Sequence, residues 1–152
     1  MKMVLSSWIP WAILSALFAA LTGIFGKVGV EGMNSHFATF LRTAIVLPML
    51  GGVVAISGAW QPVSSIPSRT VIFLALSGMA TGISWLCYYR ALQLGPVSGV
   101  AAVDKMSVIL VALFAFSLLG ERLEPRNWIG IGLVAFGLIL VTMRDNRISP
   151  PV

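Results

Sequence analysis

Acidic side chains are scarce in this chain. Five Asp and Glu stand among 152 residues, against ten Lys and Arg, and Cys and His occur once each. The lone Cys87 excludes an intramolecular disulfide framework, and a single thiol inside an apolar segment reads as a small packing residue. His36 has no Cys, His or carboxylate cluster beside it in the sequence, so no metal site is expected. Catalytic signatures are also missing. There is no G-x-S-x-G, no Walker loop, no H-E-x-x-H and no second acid spaced to work with Asp104, so neither an enzyme nor a cofactor is expected. The basic residues give a formal charge of +5, but they are scattered singly, without the patch that nucleic acid would require. No removable signal is expected either. The first apolar segment is too long for an h-region, and the stretch from Gly26 to Gly32 carries no A-x-A cleavage site.

What is present is apolar surface. Hydrophobic residues make up 58% of the chain and charged ones 10%, whereas soluble domains are roughly half apolar and a quarter charged. Five stretches are long enough, at ~20 residues each, to cross ~30 Å of hydrocarbon. They run from Trp8 to Val30, Phe37 to Ile56, Val71 to Leu94, Val97 to Leu119 and Asn127 to Met143. Short breaks separate them: EGMNSH, SGAWQPVSSIPSR, LGPV and GERLEPR. Lipid cannot satisfy free backbone groups, so these stretches predict five transmembrane helices joined by hairpin turns. The expected fold is an all-α, polytopic membrane helix bundle, one domain over residues 1–152 surrounded by membrane lipid.

Small residues punctuate the helices at spacings that permit close backbone contact: Ala12, Ala16, Ala19, Gly23 and Gly26 in the first, Gly78 and Gly82 in the third, Gly130 and Gly137 in the fifth. Pro48 leaves the Ala44 carbonyl without its helical donor and predicts a kink in the second helix. Five spans put the termini on opposite sides. The N-terminal side then carries Lys2, Arg69, Arg122 and Arg126, and the other side Lys27, Arg42, Arg90, Arg144 and Arg147. So even a distribution does not fix the orientation. It suits a chain that inserts both ways up or relies on a partner, and equally one whose orientation is set by finer details.

The stretch GVAAVDKMSVILVAL places two charges inside an apolar helix. At ~1.5 Å per residue from Val97, Asp104 lies ~10 Å deep and Lys105 slightly deeper. Charges at such depth cost at least ~2.5 kcal/mol on insertion scales, so both are expected to face a wet cavity or groups from other helices. Successive helical residues project ~100° apart, so each is expected to pair with a different neighbour rather than with the other. Lys27, Arg42 and Arg90 lie near helix ends in the same half of the bilayer as Asp104. They read either as interfacial anchors or as a cationic wall for an anionic or polar solute. In the third helix, Trp85 and Tyr89 share a face with Gly78 and Gly82 and read either as packing residues or as the aromatic side of a pocket. Trp8, Trp11, Trp60 and Trp128 stand near helix ends as belt residues.

The stretch from Tyr88 to Met143 also carries family features. These are the AL-x-x-GP turn at Ala91 to Pro96, the GERL at Gly120 to Leu123, and the W-x-G beginning at Trp128. With LTGIFGKVGV and ATFLRTAIVLP in the first two helices, nearly the whole chain resembles the EamA-type domain of the drug/metabolite transporter superfamily. The resemblance implies transport of small metabolites or drugs across the cytoplasmic (inner) membrane by exchange or proton coupling. Many relatives hold two such domains in opposite orientation; this chain is similar to the short, single-domain members. It would therefore be one half of an inverted-repeat transporter, completed as a homodimer or a paralogous heterodimer. Gly95, Pro96 and Glu121 are carried over as structural positions of the family motifs, Glu121 beside Arg122 reading as part of a structural or gating ion pair rather than a substrate contact. In the transporter reading Asp104 is the proton- or substrate-responsive group, with Lys105, Arg42, Lys27 and Arg90 shaping the field. The alternative is a non-transporting membrane subunit that scaffolds or regulates a partner protein. A lipid-modifying intramembrane enzyme would need a nucleophile or acid/base pair, which the sequence does not offer.

Overall fold

In the computed structural model the described residues are 8–143; Lys2, Arg144 and Arg147, which entered the count of basic residues, lie outside them. Every regular element among the described residues is helical, and five segments are long and apolar enough to cross a membrane. The helices are α1 (Trp8–Gly29), α2 (Ser35–Ile56), α3 (Ser68–Leu94), α4 (Val97–Asp104), α5 (Ser107–Leu118) and α6 (Pro125–Thr142), with a single 3-10 turn at Val63–Ser65. Helices α2, α3 and α6 begin two or three residues before the apolar stretches do. Hydropathy marks the hydrocarbon, whereas a helix continues into the interface wherever its first N–H groups find partners. At α2 that partner is Asn34, whose Oδ1 accepts from the His36 and Phe37 amides at 2.9 and 3.4 Å. At α6 the first helical residue is Pro125, which has no N–H and so needs no acceptor at all.

The described residues form two compact units, the first ending at Leu94 and the second beginning at Gly95. In the first, α3 packs against α1 and α2. Its buried residues gather at one end: Gly23 and Gly26 of α1, Val30 after it, Ser35, Ala38 and Thr39 of α2, and Tyr89 and Leu92 of α3. Gly26 is required by close approach. A methyl there would stand 3.2 Å from Leu92 Cδ1 and 3.5 Å from the Tyr89 hydroxyl. Side chains then fasten the same end. The last carbonyls of a helix lack intrahelical donors, and Lys27 Nζ donates to that of Leu92 at 2.6 Å. Gln93 Nε2 donates to the Met33 carbonyl at 2.6 Å and to that of Val30 at 3.4 Å, tying the end of α3 to the turn between α1 and α2. Gly32 at φ +71° supplies the left-handed residue of that turn. The expected contact stripe at Gly78 and Gly82 is not used in this unit. A methyl at either position would meet nothing within 4 Å.

In the second unit α6 packs against α4 and α5. The fourth span, Val97–Leu118, is not one helix. The Lys105 amide is shared between the Ala101 and Ala102 carbonyls at 3.2 and 3.1 Å, and the Met106 amide donates to Val103 at 2.9 Å. The backbone therefore tightens to i→i+3 pairing between two α-helical segments. The turn after α5 uses Gly120 at φ +66°, and the Glu121 amide reaches back to the Ala115 carbonyl at 3.1 Å. Trp128 packs edge-on against Phe116, with ring centroids 5.8 Å apart.

Candidate functional site

The first unit holds a cavity of about 470 Å³, lined by Thr22, Phe25, Gly26 and Gly29 from α1, Met33 from the turn, Ala38, Leu41, Arg42 and Ile45 from α2, and Tyr89 from α3. Because Gln93 bonds the Met33 carbonyl, the start of α2 and the end of α3 share one level. The lining then reaches from that level to Ile45, ~15 Å along α2 at 1.5 Å per residue. Gly26 shapes the cavity in two ways: it lets Leu92 and Tyr89 approach α1, and it leaves space that a side chain would fill.

Arg42 is the charged member of this lining, and aromatic rings set its direction. Its Cζ lies 4.0 Å from the Trp85 ring centroid and 5.7 Å from that of Tyr89, both within the ~6 Å reach of a cation–π interaction. Trp85 is nine residues and Tyr89 five residues from the end of α3, ~13 and ~7 Å in helical rise. The guanidinium thus sits nearer the deeper ring. An interfacial anchor would extend the other way, toward the headgroups. Two aromatic faces contribute about 0.5 to 2 kcal/mol, less than the ~2.5 to 3.5 kcal/mol that an arginine costs toward the middle of a membrane helix. The rings therefore aim the cation without offsetting its charge. Within the first unit no carboxylate among the described residues pairs with it.

The other sequence candidates have separate partners. Lys27 closes the end of α3 on the Leu92 carbonyl. Arg90 is exposed and donates to Gln93 Oε1 at 3.0 Å, holding the amide that bonds the turn. In the second unit Lys105 Nζ stands 3.3 Å from Asp104 Oδ2, with the two side chains 55% and 39% exposed. This corrects the expectation that these neighbours would not pair. The ~100° argument holds for a continuous helix, and here the helix stops at Asp104 while the long lysine stem bends back. Pro96 begins α4, and its carbonyl accepts the Val100 amide at 3.0 Å. Glu121 is exposed in the α5–α6 turn, and its carboxylate makes no ion pair with Arg122 among the described residues. Sequence reasoning missed Gln93 and the wall residues Thr22, Phe25, Met33, Leu41 and Ile45. Gln93 lies within the AL-x-x-GP motif, which was the signal available for it.

Residues 6–143 match the EamA-like transporter family. The chain belongs to that family. Among relatives, an uncharacterized transporter in the cobO 3' region of a Sinorhizobium species is 52% identical over 137 residues, which cover 90% of this chain and 97% of the relative. A probable 4-amino-4-deoxy-L-arabinose-phosphoundecaprenol flippase subunit, ArnE, of Yersinia pseudotuberculosis is 26% identical over 111 residues, 67% of this chain and 97% of the relative. The corresponding subunit of Yersinia pestis strain Pestoides F is 29% identical over 82 residues, 54% of this chain and 72% of the relative. No solved structure matches the chain. An EamA-like chain with five spanning-capable helices is an integral membrane protein of a transporter family.

Proposed function

We propose that this EamA-like chain is one half of a transporter for small metabolites or drugs in the cytoplasmic membrane, completed by a second copy or a paralogous chain. The observation that carries the reading is the three-helix cavity, which sets a cation inside the span where a solute would pass. Membrane transport sites commonly lie at depth between repeated halves. Support for a second chain comes from the even spread of basic residues and from the ArnE relatives, which are named as subunits. In this reading Asp104 is the proton- or substrate-responsive group. It lies where the fourth span is interrupted, and broken spans are the places at which transporters coordinate ions.

Reconstitution in sealed vesicles tests this. The chain alone, or with a co-expressed paralogue, is expected to drive uptake or efflux of a screened solute, with Asp104→Asn abolishing the dependence on a pH gradient. Transport with an unchanged pH dependence in Asp104→Asn would remove the coupling role. No transport by any assembly, together with recovery of a stoichiometric protein partner, would favour the scaffolding alternative.

A further inference from the structure

We infer that the cavity beside Arg42 recognises an organic anion, a carboxylate or phosphate ester carried on an apolar body; this rests on the transporter reading above. The geometry at the guanidinium is selective. Its Cζ lies over the Trp85 and Tyr89 rings, 4.0 and 5.7 Å from their centroids, contacts that hold the cation without consuming its N–H donors as hydrogen bonds would. Its five N–H donors project in the guanidinium plane, and within the first unit no described hydrogen bond takes them. An acceptor able to use two of those donors in one plane is a carboxylate or phosphate.

The rest of the cavity describes the remainder of the ligand. Phe25, Met33, Leu41 and Ile45 give it an apolar wall, with the Thr22 side chain as a polar exception. Its volume of about 470 Å³ falls in the range of small-molecule sites. A sugar or a free inorganic anion would leave this wall unmatched, and an amine would be repelled by Arg42. A resident phospholipid fits less well than a solute. Lipid phosphate lies at the headgroup level, near the Met33 turn, whereas the guanidinium is held toward the deeper Trp85. Lys27, the nearest cation on α1 by sequence, is engaged at the Leu92 carbonyl.

The test uses the full chain in phosphatidylcholine nanodiscs and four probes of nearly equal size: 1-naphthoate, 1-naphthyl phosphate, 1-naphthamide and 1-naphthylmethylamine. Calorimetry and quenching of tryptophan emission report binding. The two anions are expected to bind about tenfold or more tighter than the amide, and Arg42→Gln to erase that preference. Arg42→Lys, which keeps charge but loses the planar fork, should retain part of it. Equal binding of anions and amide, or no anion binding at all, overturns the proposal on the unaltered protein, so the outcome does not depend on a variant folding. Equimolar phosphatidylglycerol in the nanodisc distinguishes the lipid source. If it abolishes naphthoate binding to the parent chain, and Arg42→Gln loses bound phosphatidylglycerol by native mass spectrometry, the site belongs to lipid and the solute assignment fails. Anion binding without vesicle transport would sink the transporter reading and leave the site standing; transport of amine or neutral solutes alone would do the reverse.

Discussion

Gly26 and Lys27 are sequence neighbours with opposite duties at the same junction. Gly26 acts by lacking atoms: Leu92, fully buried, has little room to withdraw from a methyl built 3.2 Å away. Gly26→Val is therefore expected to lower the unfolding free energy by about 1 to 3 kcal/mol through overpacking, read by denaturant titration in detergent; an unchanged midpoint would show that Leu92 and Tyr89 can retreat. Lys27 acts by charge. Its ammonium satisfies a helix-terminal carbonyl and lies at the negative end of the α3 dipole. Lys27→Met keeps the apolar stem and removes the bond, with an expected loss of about 1.5 to 3 kcal/mol, as for hydrogen bonds to charged groups. Gln93→Leu should act in the same direction, because it frees the Met33 and Val30 carbonyls together. A melting temperature unchanged in both variants would mean that packing alone holds this end.

At the scale of elements, the interruption at Asp104 and Lys105 separates stability from function. Asp104→Asn leaves Lys105 without its ion-pair partner inside a span, where a charge is costly, so the unfolding midpoint of the variant is measured beside its transport. A loss of pH-dependent transport in a variant that folds as well as the parent then reports coupling rather than damage. A large drop in stability would instead mark Asp104 as a structural counter-ion. The same element shows where sequence reasoning stopped. Hydropathy recovers the five spans because length and apolar content are what lipid selects, and both are written in composition. It cannot see a local change from i→i+4 to i→i+3 pairing, since VDKMSV is apolar enough on either side to pass as one helix. Arg42, Trp85 and Tyr89 were legible as candidates from their depth. Their meeting was not, because it depends on how α2 and α3 are rotated about their axes. Gln93 was illegible for a related reason: its partners are backbone carbonyls, which every residue possesses.

For the whole molecule, the prediction concerns orientation. If half-transporters assemble in opposite senses, a reporter active only in the cytoplasm and one active only outside should both give signal when fused in turn to the C-terminus of the full chain. A single strong signal would require an oppositely inserted paralogue instead. In either assembly the first unit arrives with one end already fastened. Lys27, Arg90 and Gln93 lock the ends of α1 and α3 and the turn before α2. Should organic anions enter this cavity with the head group at Arg42, the clasped rim acts as a fixed gauge of the tail. A series of alkanoates should then bind more tightly with each added methylene until the tail meets that rim, beyond which further methylenes should gain nothing.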